Sequence, residues 1–141
     1  MYSIGYDIGS SSIKASLVEY NSGKVVAGVK YPDDEMKINS EKKGWAEQDP
    51  HLWWDYVCQA TKEIIEKSTI DPGLVKTIGI AYQMHGLVIV DDNFQILRPS
   101  IIWCDSRAVQ IGEKAFLNLG SKYCKEHLFN SPANFTASKL R

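Results

Sequence analysis

The segment Asp7-Ile8-Gly9-Ser10-Ser11-Ser12-Ile13-Lys14 brings a carboxylate, a glycine, three hydroxyls and an amine to a single turn. Such a turn offers backbone N–H groups and hydroxyls to a phosphate, because Gly9 has no side chain to block close approach. Asp7 suits a hydrated Mg²⁺, and Lys14 suits a point charge on a transferring phosphoryl group. On spacing alone the same residues also make a plain hairpin, with Asp7 capping the turn and the serines in water. The sequence has no G-x-x-x-x-G-K-[ST] and no G-x-G-x-x-G, so a nucleotide here would sit on neither a P-loop nor a Rossmann turn.

Two further polar groups stand beside apolar runs. Gln83-Met84-His85-Gly86 lies between two apolar stretches, and Gln83 and His85 each both donate and accept, which suits a polyhydroxylated ligand. The alternative is a satisfied core histidine and a gap-filling methionine. In Trp103-Cys104-Asp105-Ser106-Arg107 an indole face can stack on a sugar while Asp105 and Arg107 bracket its hydroxyls. Read structurally, the same residues are a buried Trp and an Asp–Arg pair opening a helix. Gly44-Trp45-Ala46-Glu47-Gln48-Asp49-Pro50 reads mainly as a helix entry, with Asp49 as cap, Pro50 in the first turn and Trp45 as staple, a structural reading that leaves out Glu47 and Gln48.

The elements that position these residues follow from periodicity. Ile4, Tyr6 and Ile8 alternate, as do Ile13, Ala15 and Leu17, and Asn21-Ser22-Gly23 turns the chain into a Val-rich run from Lys24 to Tyr31. The expected start is three antiparallel strands. A helix is expected from Pro50 to the Asp71-Pro72-Gly73 stop, burying Trp54, Val57, Cys58, Thr61, Ile64, Ile65 and Ser68 on one face. Lys76 to Gln83, Leu87 to Val90 and Ile101 to Trp103 read as strands. A further helix runs to Leu119, capped at its start by Asp105 or Ser106 and ended by Gly120. The fold class expected is α/β, a mixed sheet with helices packed on it.

Composition excludes several function classes. The 141 residues carry 16 Lys+Arg against 17 Asp+Glu, a formal charge of −1, which gives no basic stripe for a nucleic acid. The longest run without Asp, Glu, Lys or Arg, Thr77 to Val90, is shorter than the ~20 apolar residues of a spanning helix, so no membrane partner is expected. Met1 to Ile4 opens without a basic region followed by an apolar core. Cys58, Cys104 and Cys124 are far apart and odd in number, which fits reduced thiols and a cytoplasmic location.

Taken in order, these segments, with Arg98-Pro99 and Ser131-Pro132-Ala133-Asn134-Phe135-Thr136, resemble the N-terminal domain of the FGGY carbohydrate kinases, and most of all the xylulose kinases among them. The resemblance implies the ribonuclease H-like, actin-like ATPase fold, with sugar and ATP bound in a cleft between two domains. It places Asp7, Gly9, Ser10, Ser11 and Lys14 at the phosphates of Mg²⁺·ATP, with Asp7 toward the metal. It makes Gln83, Met84 and His85 sugar contacts, and sets Trp103, Asp105 and Arg107 along the same pocket. The implied partner is a small-molecule pentulose, most simply D-xylulose converted to D-xylulose 5-phosphate.

Members of that family are several times longer, so residues 1–141 are expected to be the front part of the N-terminal domain. The catalytic aspartate and the second, adenosine-binding domain are expected beyond Arg141, with no catalytic base inside the chain. The piece alone is then expected to be inactive, with open sheet edges that leave a homodimer as one expected assembly. The alternatives are a non-catalytic sugar-binding or regulatory module, and a kinase of the same fold acting on ribulose, gluconate or glycerol.

Overall fold

Alternation of apolar and polar residues builds the first sheet. The computed structural model describes residues 1–141. Strands β1 (Tyr2–Ile8), β2 (Ile13–Glu19) and β3 (Val25–Tyr31) form an antiparallel meander, as their patterning requires. Gly23, at φ 68°, supplies the left-handed residue at the second turn. A fourth strand, β5 (Val75–Tyr82), joins parallel to β1, giving the order β3-β2-β1-β5. Between β3 and β5 run a two-residue strand, β4 (Glu47–Gln48), and the long helix α1 (Pro50–Ser68).

The chain divides into two units, Met1–Lys37 with Pro50–Gln83, and Ile38–Asp49 with Met84–Arg141. In the first, α1 lies across β2 and β3 and closes a core of Ile4, Tyr6, Ala15, Leu17, Val29, Ala60 and Ile64. The Thr61 hydroxyl donates to the Val57 carbonyl at 2.6 Å, so the Tyr6 hydroxyl, 2.6 Å from Thr61 Oγ1, is the donor of that pair.

Only part of the expected apolar face of α1 is covered. Ala60 and Ile64 are fully buried, whereas Trp54 is 67% exposed and Cys58 is exposed. The reason is that α1 covers β2 and β3, leaving Trp54, Val57 and Cys58 beside Ile78 and Ile80 along an open apolar groove.

In the second unit β4 pairs with β6 (Ser100–Ile101). Leu87–Val90, expected as a strand, makes only single bridges, Leu87 to Ile101 and Val90 to Ile96. His85 at φ 59° and Phe94 at φ 62° turn the chain on either side, so no extended run forms.

Helix α2 (Val109–Leu119) ends at Gly120, whose φ of 85° is the expected glycine terminus. Its start is later than expected: Ala108 is the capping position, and neither Asp105 nor Ser106 caps it with a side chain. Asp105 is engaged elsewhere, and Ser106 Oγ donates to the Gly44 carbonyl. Helix α3 (Ser121–Tyr123) runs into a wide turn at Cys124–Leu128, and a short turn at Pro132–Asn134 leads into α4 (Thr136–Leu140).

Candidate functional site

The β1–β2 hairpin holds the first group of candidate residues. Asp7 and Lys14 are register partners across the two strands, and Lys14 Nζ lies 3.7 Å from Asp7 Oδ2. Both side chains are more than half exposed. Beyond them the turn is closed by the Gly9 N–H donating to the Ser12 carbonyl at 3.1 Å. A Cβ on Gly9 would stand 3.0 Å from that carbonyl oxygen, so the tight turn favours glycine there. Ser11 is exposed at the tip, and its carbonyl accepts from Met36 N–H at 2.8 Å, which anchors the turn from outside. An exposed carboxylate and an ammonium thus stand at the mouth of a fixed turn.

No group of three or more His, Cys, Asp or Glu is placed to hold a metal ion. A Mg²⁺ keeps several waters and takes one or two carboxylates, and the single exposed Asp7 fits that water-mediated mode.

Gln83 follows β5, and its N–H donates to the Ile8 carbonyl at 3.0 Å, at the end of β1. Its side-chain amide is buried, with neither Oε1 nor Nε2 paired to a protein atom. A buried amide left so costs about 1–3 kcal/mol.

In the second unit, Met84 is 59% exposed and His85 is half-buried. His85 is left-handed without being glycine, a conformation that persists where its surroundings hold it. The surroundings are explicit. The His85 ring stacks on Phe135 with centroids 4.5 Å apart, Lys139 Nζ donates to the His85 carbonyl at 2.7 Å, and Thr136 Oγ1 donates to the Gly86 carbonyl at 3.2 Å.

The Trp103–Arg107 group is also organised from within the second unit. Trp103 is 46% exposed, and its carbonyl accepts from Asn134 Nδ2. Asp105 is fully buried; it accepts from Ala46 N–H at 2.6 Å and from the Arg107 guanidinium at 2.7–3.0 Å. Burial alone would raise its pKa, but the Arg107 guanidinium and the N–H groups of Ala46 and Arg107 outweigh that and hold it below the ordinary Asp value. Burial works against the Arg107 charge, yet Asp105 and Glu47 raise its pKa overall. Glu47 Oε1 accepts from Arg107 at 2.7 Å and from Arg98 at 2.5 Å, and Arg107 lies over the Trp45 ring, 3.8 Å from its centroid.

Residue types and spacing had singled out Asp105 and Arg107 but not Glu47 as the hub between two arginines. Lys139, too, had no signal as a neighbour of His85.

A model of the N-terminal domain of the FGGY family of carbohydrate kinases matches residues 2–141. The chain belongs to the FGGY family of carbohydrate kinases. It is 39% identical over 104 residues to a xylulose kinase of Staphylococcus epidermidis, which covers 74% of this chain and 20% of that protein. Among solved structures, a xyloylose kinase from Brucella ovis matches 99% of this FGGY chain and 28% of its own, with a TM-score of 0.87 and 26% identity. A gluconate kinase from Lactobacillus acidophilus matches 89% of this chain and 24% of its own, with a TM-score of 0.74 and 30% identity. The chain thus spans about one fifth of the length of the curated relative it matches. The expected mixed sheet with packed helices is the actin-like ATPase fold of these FGGY sugar kinases. No helix is long and apolar enough to cross a membrane.

Proposed function

We propose that this chain is the front part of the N-terminal domain of an ATP-dependent pentulose kinase that converts D-xylulose to D-xylulose 5-phosphate. The observation that carries the reading is the Asp7–Lys14 pair, 3.7 Å apart across the closed Gly9–Ser12 turn, in a chain of the FGGY family. Xylulose as substrate is supported by the relatives' names and by the polar Gln83-Met84-His85-Gly86 segment.

In the reaction the sugar hydroxyl oxygen forms a bond to the γ-phosphorus while the bond from that phosphorus to the ADP oxygen breaks. The hydroxyl proton goes to a base, which we place in polypeptide following Arg141. Lys14 and the turn residues Gly9, Ser10 and Ser11 orient the phosphates, so the gain is positional and electrostatic. Asp7 would hold a hydrated Mg²⁺, which would supply charge neutralisation on the phosphates. His85 and Gln83 hydrogen-bond the sugar hydroxyls, and Met84 and Trp103 supply apolar surface to its C–H face. Asp105 and Arg107 act from behind: their mutual pairing sets the shape of the segment that carries Trp103. Without the base, the 141-residue piece binds but does not turn over.

The gluconate kinase likeness, at 30% identity, favours a second reading, in which the same fold acts on another polyol. The test is sugar-dependent ADP release with Mg²⁺·ATP over D-xylulose, L-ribulose, glycerol and gluconate. It uses the full-length gene product, with the 141-residue piece as control. Release by the full-length protein with D-xylulose alone supports the proposal. Preference for another sugar selects the second reading, and saturable sugar binding without release points to a non-catalytic module.

A further inference from the structure

Lys139 is a cation with only 7% of its surface exposed, and its Nζ is directed at a main-chain oxygen. Burial lowers its pKa, Asp105 and Cys104 oppose that shift and Arg107 adds to it, so the enclosed amine relies on a nearby acceptor. The acceptor is the carbonyl of His85, the one residue of the Gln83–Gly86 segment in the left-handed region. That conformation is unfavourable for a residue with a side chain and needs its surroundings to impose it. Three residues of one short stretch do so. Phe135 stacks on the imidazole, Thr136 binds the Gly86 carbonyl, and Lys139 binds the His85 carbonyl.

We propose that Lys139 is a positioning residue for sugar recognition, fixing the His85 backbone in its left-handed turn so that the imidazole, backed by Phe135, meets the sugar hydroxyls at a set angle. This rests on the reading of His85 as a sugar contact. Lys139 acts through the His85 carbonyl, to which its Nζ donates. Its removal frees that peptide to rotate, and the imidazole loses its register before the rest of the fold is disturbed. Sugar affinity falls while the phosphate hairpin, on β1 and β2, is untouched.

The test measures sugar and ATP kinetics of the full-length kinase carrying Lys139→Met, Lys139→Arg and, as reference, His85→Ala. Lys139→Met keeps the buried stem and removes the donor; the D-xylulose KM is expected to rise about tenfold. Its kcat is expected within about threefold of wild type and its ATP KM within about twofold. Lys139→Arg, which restores a donor, brings the sugar KM back toward wild type.

A raised sugar KM in His85→Ala with an unchanged one in Lys139→Met overturns this inference and leaves the sugar reading standing. An unchanged sugar KM in His85→Ala overturns the sugar reading and the inference with it. If Lys139→Met does not fold, Lys139→Gln, too short to reach the His85 carbonyl, takes its place, and an unchanged sugar KM there overturns the inference equally.

Discussion

The Arg107 guanidinium grips the fully buried Asp105 carboxylate through Nε and Nη2 at 2.7–3.0 Å, while the Arg107 N–H donates to the same carboxylate at 2.9 Å. The pair joins Ala46, Glu47 and Trp45, which come from the loop and short strand before α1, to the segment that carries Trp103. Both members are committed to structure, and their pairing sets the shape of the segment that carries Trp103.

That relationship predicts an acid-labile fold. Asp105 titrates below the ordinary Asp pKa of about 3.9 in the folded state. The unfolded chain therefore takes up the proton first as pH falls. The stability it contributes is fully present above about pH 5 and is lost as pH falls through the ordinary value toward the lowered folded one. Melting temperature against pH should drop over that acid range, and Asp105→Asn should melt lower at neutral pH with a shallower acid limb. An Asn variant with an unchanged limb would remove Asp105 as its source.

Glu47 is the second partner of Arg107 and the first of Arg98, with its side chain only 13% exposed. Glu47→Gln keeps the shape and removes the charge, and should cost about 1–3 kcal/mol in urea denaturation through the weakened bonds to two guanidinium groups. Arg98→Ala, at a site three times as exposed, should cost less than Glu47→Gln.

Gly112 lies in the interior of α2 against the Pro132–Asn134 turn. A Cβ there would fall 2.3 Å from the Pro132 carbonyl oxygen and 2.4 Å from Ala133 Cα. Main chain cannot step aside as a flexible side chain does, so Gly112→Ala should force α2 away from that turn and cost about 1–3 kcal/mol or more. A thermal melt checks it. The direction is opposite to the ordinary helix-interior preference, by which Ala would stabilise by about 1 kcal/mol over Gly.

Local pattern carried much of the fold. The alternation of Ile4 with Tyr6 and of Ala15 with Leu17 matches the buried face of the sheet, and α1 begins at Pro50 and α2 ends at Gly120 as their chemistry requires. What periodicity could not carry was long-range. The burial of Asp105 depends on Ala46, 59 residues away in sequence, and the role of Lys139 on His85, 54 residues away. An apolar run such as Leu87–Val90 looks like a strand until a left-handed His85 and Phe94 bend it. Trp54 looks like core because helical spacing names a face without naming what covers it. The β1–β2 hairpin was legible because Asp7, Gly9 and Lys14 are close in sequence, and the pairing of Glu47 with two arginines was not, because those arginines come from elsewhere.

The most direct test of Asp7 at the proposed phosphate-binding hairpin is steady-state ADP release by the full-length Asp7→Ala kinase with Mg²⁺·ATP and varied D-xylulose. Loss of the carboxylate proposed for the hydrated Mg²⁺ should lower kcat about a hundredfold or more. The sugar KM should stay within about twofold of wild type, because transition-state stabilisation is lost rather than substrate binding. A kcat near wild type would contradict the account and remove Asp7 from the phosphate site.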